Sequence, residues 1–233
     1  MKYFLFLLVT VITITSCDQT TGSGNIVTET RKTGNFDAIS VGGSFEVEVK
    51  IGDVTLVVVE ADDNIMKYIE TTVSGNTLKI NTEGLHNYSD VHMKVYVTAP
   101  AITSIKASAS AEVVADNILT GSGRLTFKAS SSASIKAEVN APEIETDASS
   151  SATITLTGKT KTHKTEASSS AEIKTFGLLS ENTTANVSSS ASIEVHASVS
   201  LNARASSSGS VDYKGAAAVT KSESSSGTVE KKD

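Results

Sequence analysis

Ala167-Ser168-Ser169-Ser170-Ala171-Glu172-Ile173 recurs, with small changes, throughout the C-terminal half of the chain. The serine triplet, or its variant Ser108-Ala109-Ser110, starts at Ser108, Ser130, Ser149, Ser168, Ser188, Ser206 and Ser224, and Ala or Gly follows it. The intervals are 22, 19, 19, 20, 18 and 18 residues. Two positions after that Ala or Gly stands a β-branched aliphatic residue in every copy: Val113, Ile135, Ile154, Ile173, Ile193, Val211 and Val229. The residue before the triplet is Ala or Val in the first six copies and Glu223 in the last, as a terminal repeat with less to bury allows.

Strand alternation assigns faces to this unit. The residue before the triplet, the middle serine, the Ala or Gly and the Ile or Val share one parity and are expected inside. Ala109 in the middle position of the first copy fits a small inward slot. The opposite parity carries Lys136, Lys174, Glu194, Asp212 and Glu230, which are expected to face water. A period of ~19 residues suits one turn of a β-solenoid, each copy burying its face only on its neighbours. Seven such turns at a strand spacing of about 4.8 Å make a rod roughly 34 Å long. The serines would line up along one corner, their hydroxyls bonding one another or the turn backbone. A disordered serine-rich linker would not hold a β-branched residue at one offset in seven copies.

Composition agrees with a narrow interior. Among 233 residues there are 11 Phe and Tyr and no Trp, and beyond Phe127 only Phe176 and Tyr213 remain. Ser and Thr together supply 64 residues. The net charge is −6, Arg occurs three times, and no basic stripe alternates with aromatics, which argues against a nucleic-acid partner. A single cysteine, Cys17, leaves no disulfide within the chain and no cysteine-based metal site.

That cysteine ends an N-terminal address. Lys2 precedes an apolar run from Tyr3 to Ile14, then Thr15, Ser16 and Cys17. The run is shorter than a membrane span and has the secretory pattern. Ile14-Thr15-Ser16-Cys17 resembles the bacterial lipobox. The resemblance implies a signal peptide over residues 1–16, removed by cleavage, and a diacylglyceryl group and an acylated amine on Cys17. Residues 17–24 then form a polar tether. The expected location is the cell envelope, as an outer-membrane lipoprotein on either face.

From residue 25 to 100 the chain reads as ordinary β-sheet. Phe45, Val47, Val49 and Ile51 alternate with Glu46, Glu48 and Lys50. Further strands are expected at 56–59, 77–80 and 91–97, with turns at Gly52-Asp53 and Ser74-Gly75-Asn76 and one helical turn at 62–68 capped by Asp62 or Asp63. Pro100 marks a change of composition, and the repeats occupy 101–230.

Several stretches match a known family in order and spacing. They are Asn35-Phe36-Asp37-Ala38-Ile39-Ser40-Val41-Gly42, Phe45-Glu46-Val47-Glu48-Val49, Gly75-Asn76-Thr77-Leu78-Lys79-Ile80, Val95-Tyr96-Val97-Thr98-Ala99-Pro100 and Val211-Asp212-Tyr213-Lys214-Gly215. Over residues 25–230 the chain resembles the bacterial head GIN domain family, described as auto-transporter adhesins. The resemblance implies an all-β, right-handed parallel β-helix of the pectin-lyase type. Family members usually carry Gly-Ser-Gly at the corner. Ser replaces both glycines here, so the corners are expected to use backbone conformations open to L-residues.

Catalytic signatures are missing. There is no Gly-x-Ser-x-Gly, and the serines repeat as scaffold does. His86, His92, His163 and His196 share no repeat register and are expected to be solvated, leaving no metal, cofactor or catalytic set. The acids Asp147 and Glu166 and the bases Lys136 and Lys174 are the candidates for lyase chemistry on such a rod. The expected function is a non-enzymatic adhesin or surface-structure protein. Its expected partners are the membrane, through the lipid, and a glycan or cell-surface receptor, with self-association open. The alternative is a carbohydrate-active β-helix enzyme.

Overall fold

The computed structural model describes residues 19–84 and 87–233. Cys17, the segment 1–16 and His86 lie outside the described residues.

The serine-rich repeats form a β-solenoid. Long strands Ser134–Ala148, Thr153–Ala167, Glu172–Val187 and Ser192–Ala205 each pair in parallel with the next. The aliphatic residues stack in register, Val113 on Ile135, Ile154, Ile173, Ile193, Val211 and finally Val229. All seven are buried. Each aliphatic side chain closes over the one below, and no coil has a complete core without its neighbours.

The stack continues below the first serine triplet. Ala38–Gly42 pairs with Ser104–Ser108, and Glu46–Ile51 pairs with Glu112–Ala115, both in parallel. Thr77–Thr82 and Met93–Ala99 add one further parallel level beneath them. Antiparallel strands then cover that end: Ile69–Ser74 on Thr77–Thr82, Leu56–Asp62 on Met93–Ala99, and Ile26–Arg31 on Leu56–Asp62. The helix Asp63–Met66 buries Ile65 and Met66. Asp62 stands at its N-cap position, but its side chain caps nothing there. Its carboxylate accepts the backbone N–H groups of Gly24 and His92, both at 2.7 Å.

The corner differs from the expected one. Ser169 and its equivalents are exposed, so the middle serine does not point inward. Ser169 and Ser170 have φ of 54° and 61°, and the second and third residues of every triplet share this left-handed conformation. Ala171 N–H donates to Ser168 C=O at 3.2 Å, closing a four-residue turn with positive φ at both central positions, as in a type I′ turn. Alternation holds only along extended backbone and does not pass through such a turn. Ala167, Ala171 and Ile173 are nevertheless all buried, because the turn carries the chain back to the inward parity after three residues.

Nor do the hydroxyls form the ladder. Among the described residues, no hydroxyl–hydroxyl bond joins one triplet to the next; the backbone makes the connection. Ser168 N–H donates to Ala148 C=O and Ser170 N–H to Ser189 C=O, each at 3.0 Å, and the pattern repeats along the rod. A left-handed L-residue costs about 1–2 kcal/mol. The peptide bonds on both sides of each corner impose that conformation on a side chain small enough to tolerate it.

Candidate binding groove

Two columns of side chains border a groove beside the serine corner. The first column stands two residues before each triplet and faces out: Lys106, Lys128, Asp147, Glu166, Asn186, Arg204 and Ser222, stacked in strand register. The second is the first serine of each triplet, half-buried at the strand end in the first six copies and exposed at Ser224. Between them the floor is small: Ala107, Ala129, Ala167, Val187 and Ala205. Two adjoining hollows of about 440 and 340 Å³ share Asp147 and extend from Ser40 at one end to Ser222 and Ser224 at the other. Eight strand levels at about 4.8 Å give a trough roughly 34 Å long.

Its charge changes along the axis. Lys106 and Lys128 lie at the end nearer the N-terminal cap, with Lys128 Nζ 3.4 Å from Asp147 Oδ2. Glu166 accepts Asn186 Nδ2–H at 3.3 Å. Arg204, near the far end, makes no ion pair among the described residues. On the same sheet face, Arg124 bridges Glu143 and Glu145, each at 3.0 Å, and Lys164 meets Glu143 at 3.0 Å. Hydrogen bonds from Lys164 and Arg124 hold the Glu143 carboxyl below its ordinary range. In the lower half of the face Arg124, Lys128 and Lys164 are paired with Glu143, Glu145 and Asp147, while the upper half presents Asn182, Thr184, Asn186, Ser200, Asn202 and Thr220.

Of the four charged candidates for lyase chemistry, the two acids meet here and the two bases do not. Asp147 and Glu166 are register partners on adjacent coils in the groove. Lys136 and Lys174 lie on the strands beyond the serine corner, and Lys174 pairs with Glu172 at 2.8 Å. The histidines are scattered. His92 contacts Glu60 at 2.8 Å in the N-terminal cap, and His196 is half-buried beyond the corner. His163 corrects the expectation of solvated histidines: it is fully buried inside the rod, its Nε2 3.1 Å from Thr146 Oγ1. Among the described residues, no group of three or more His, Cys, Asp or Glu side chains is placed to hold a metal ion. No helix among them is long and apolar enough to cross a membrane.

The segment before the first long strand is held rather than loose. Thr20 N–H donates to Asn87 C=O at 2.9 Å, Asn64 Nδ2–H to Thr21 C=O at 2.8 Å, and Ser23 Oγ–H to Asp63 Oδ1 at 2.6 Å. The chain is therefore attached to the cap from Thr20 onward, within three residues of Cys17.

A model of the family described as "Putative auto-transporter adhesin, head GIN domain" matches residues 35–217. The chain belongs to the head GIN domain family. Solved structures share its fold. A "putative adhesin" of Bacteroides fragilis superposes with a TM-score of 0.83 at 20% identity, covering 91% of this chain and 98% of that one. A "putative adhesin" of Parabacteroides distasonis gives 0.75 at 25% identity, over 92% and 100%. A "putative lipid binding protein" of the same species gives 0.74 at 24%, over 93% and 100%. No curated protein matches the chain. For a head GIN domain the family's description is that of an adhesin, which points to the cell surface or envelope.

Proposed function

We propose that this head GIN domain is a lipid-anchored, non-enzymatic adhesin of the outer membrane that holds an extended polysaccharide along the serine-bordered groove. The observation that carries the reading is the groove's repetition. It offers the same hydroxyl at seven successive coils, about 4.8 Å apart, as a polymer needs and a single small substrate does not. Its acids are engaged by neighbours, Asp147 by Lys128 and Glu166 by Asn186, which fits holding a ligand better than cleaving it.

Two measurements test the two halves. Cys17→Ala is expected to remove the lipid and release the protein from membrane pellets; equal retention and equal mass of wild type and variant would refute the anchor. The released protein, screened against plant and host polysaccharides, is expected to bind without shortening them. Substituting Trp for Ser188 in the groove should abolish that binding. Chain cleavage would favour the enzyme reading instead, and no binding to any polysaccharide would refute the glycan.

A further inference from the structure

The solenoid's two ends are finished differently. Antiparallel strands cover the N-terminal end. Among the described residues the coil farthest from it, Ala218–Glu223 and Thr228–Lys231, is paired with a coil on one side only. An open strand edge of this kind is a template for another chain.

The interior columns change character at this coil. Register places Lys221 above Ala203 and Glu223 above Ala205. In every coil below, these two positions hold uncharged residues. Both side chains reach the facing strand at one residue. Glu223 Oε1 accepts Val229 N–H at 2.7 Å, Lys221 Nζ donates to Val229 C=O at 3.2 Å, and the two charges lie 3.1 Å apart. Thr228 and Lys232 direct their N–H groups to the coil beneath, bonding Gly209 and Tyr213. The backbone groups of Val229 therefore point the other way, toward the side from which a further strand would arrive. The carboxylate stands in for such a strand's carbonyl, and the ammonium for its N–H.

We propose that Lys221 and Glu223 form an end cap that keeps a second copy of this chain from adding its terminal strands to the open coil. Inward-pointing charge is one means by which sheet edges resist association, and repeat arrays need polar terminal units. A second copy docking here would have to displace both side chains from Val229 and bury their charges away from water. The cap acts independently of any ligand in the groove.

The test is the double variant Lys221→Ala/Glu223→Ala, which repeats the alanines of the coil below, studied by sedimentation velocity with circular dichroism as the control for folding. The wild type is expected to sediment as a monomer at all concentrations. The double variant should show roughly a doubling of mass as concentration rises, the signature of a closed twofold contact. Glu223→Ala alone should fold and associate more weakly. A folded double variant that stays monomeric overturns the proposal. So does wild-type self-association that the double variant leaves unchanged, or, if the double variant does not fold, a folded Glu223→Ala protein that is strictly monomeric.

Discussion

Gly158→Ala is expected to destabilise the protein by about 3 kcal/mol or more, the largest loss from adding one methyl group that we foresee. Gly158 lies within the strand Thr153–Ala167, stacked between Val139 below and Leu178 above. Its φ of 115° is open to glycine and strained for any L-residue. A Cβ there would stand 2.0 Å from the carbonyl oxygen of Val139, and the obstacle is backbone that itself belongs to the solenoid ladder. The coil must therefore either change register or separate from the one beneath. Gly123 is the control, because a Cβ at that position meets nothing within 4 Å and its φ is not in the glycine region. Urea denaturation of the two variants decides the point: equal midpoints would mean that the close approach at Gly158 is relieved at no cost.

The interior was legible because its signal is local and repeated. Ile135, Ile154, Ile173 and Ile193 recur at one offset, and stacking them admits one register. The corner was not legible, since alternation reports which way a side chain points along extended backbone and says nothing about the sign of φ. The family habit of glycine at the corner held the clue, and fourteen residues in the seven corners do occupy the left-handed region without glycine. Another copy of the unit also escaped the repeat count. Val41-Gly42-Gly43-Ser44-Phe45-Glu46-Val47 stacks under Ala107–Val113, with Phe45 buried in the slot that alanine fills above. An interval of 66 residues between corners, in place of about 19, hid it, because the extra residues fold into the lowest parallel level and the antiparallel strands that cover it.

The groove was only half legible. The serines announced themselves, and Lys128, Asp147, Glu166 and Arg204 share an offset of two residues before the triplet, but they have no common residue type to mark them as one surface. Lys136 and Lys174 likewise share an offset from the triplet, which places them in one column of the other face, on strands two coils apart. Offset along the chain fixes the face; which charges meet across the coils depends on register and on the turn between.

His163 carries the second large effect, and it appears in acid. The side chain takes an inward position between Ile144 below and Thr183 above, with Thr146 Oγ1 as its one polar partner and Nδ1 unpartnered. Burial lowers its pKa from 6.5 to about 3, since the imidazolium has no water and no counter-charge inside the rod. The folded state thus binds its proton later than the unfolded chain does. The stability this residue allows is fully present above pH 6.5 and is lost as pH falls toward 3. Over that window the unfolded chain gains about one proton relative to the fold, which costs about 1.4 kcal/mol per pH unit. Carboxylates such as Glu143, held low by Lys164 and Arg124, lose stability in acid as well, so the wild-type slope alone does not isolate the histidine. His163→Leu does. It fills the same inward position with an apolar side chain and leaves the surface unchanged, at a pH-independent cost of about 1 kcal/mol for the Thr146 hydroxyl left without a partner. Denaturant unfolding of both proteins from pH 7 to pH 4 should give curves that converge or cross as pH falls, the wild type losing stability more steeply. Curves that stay parallel would mean that His163 takes up its proton equally easily in both states, and its burial in the rod would then be wrong.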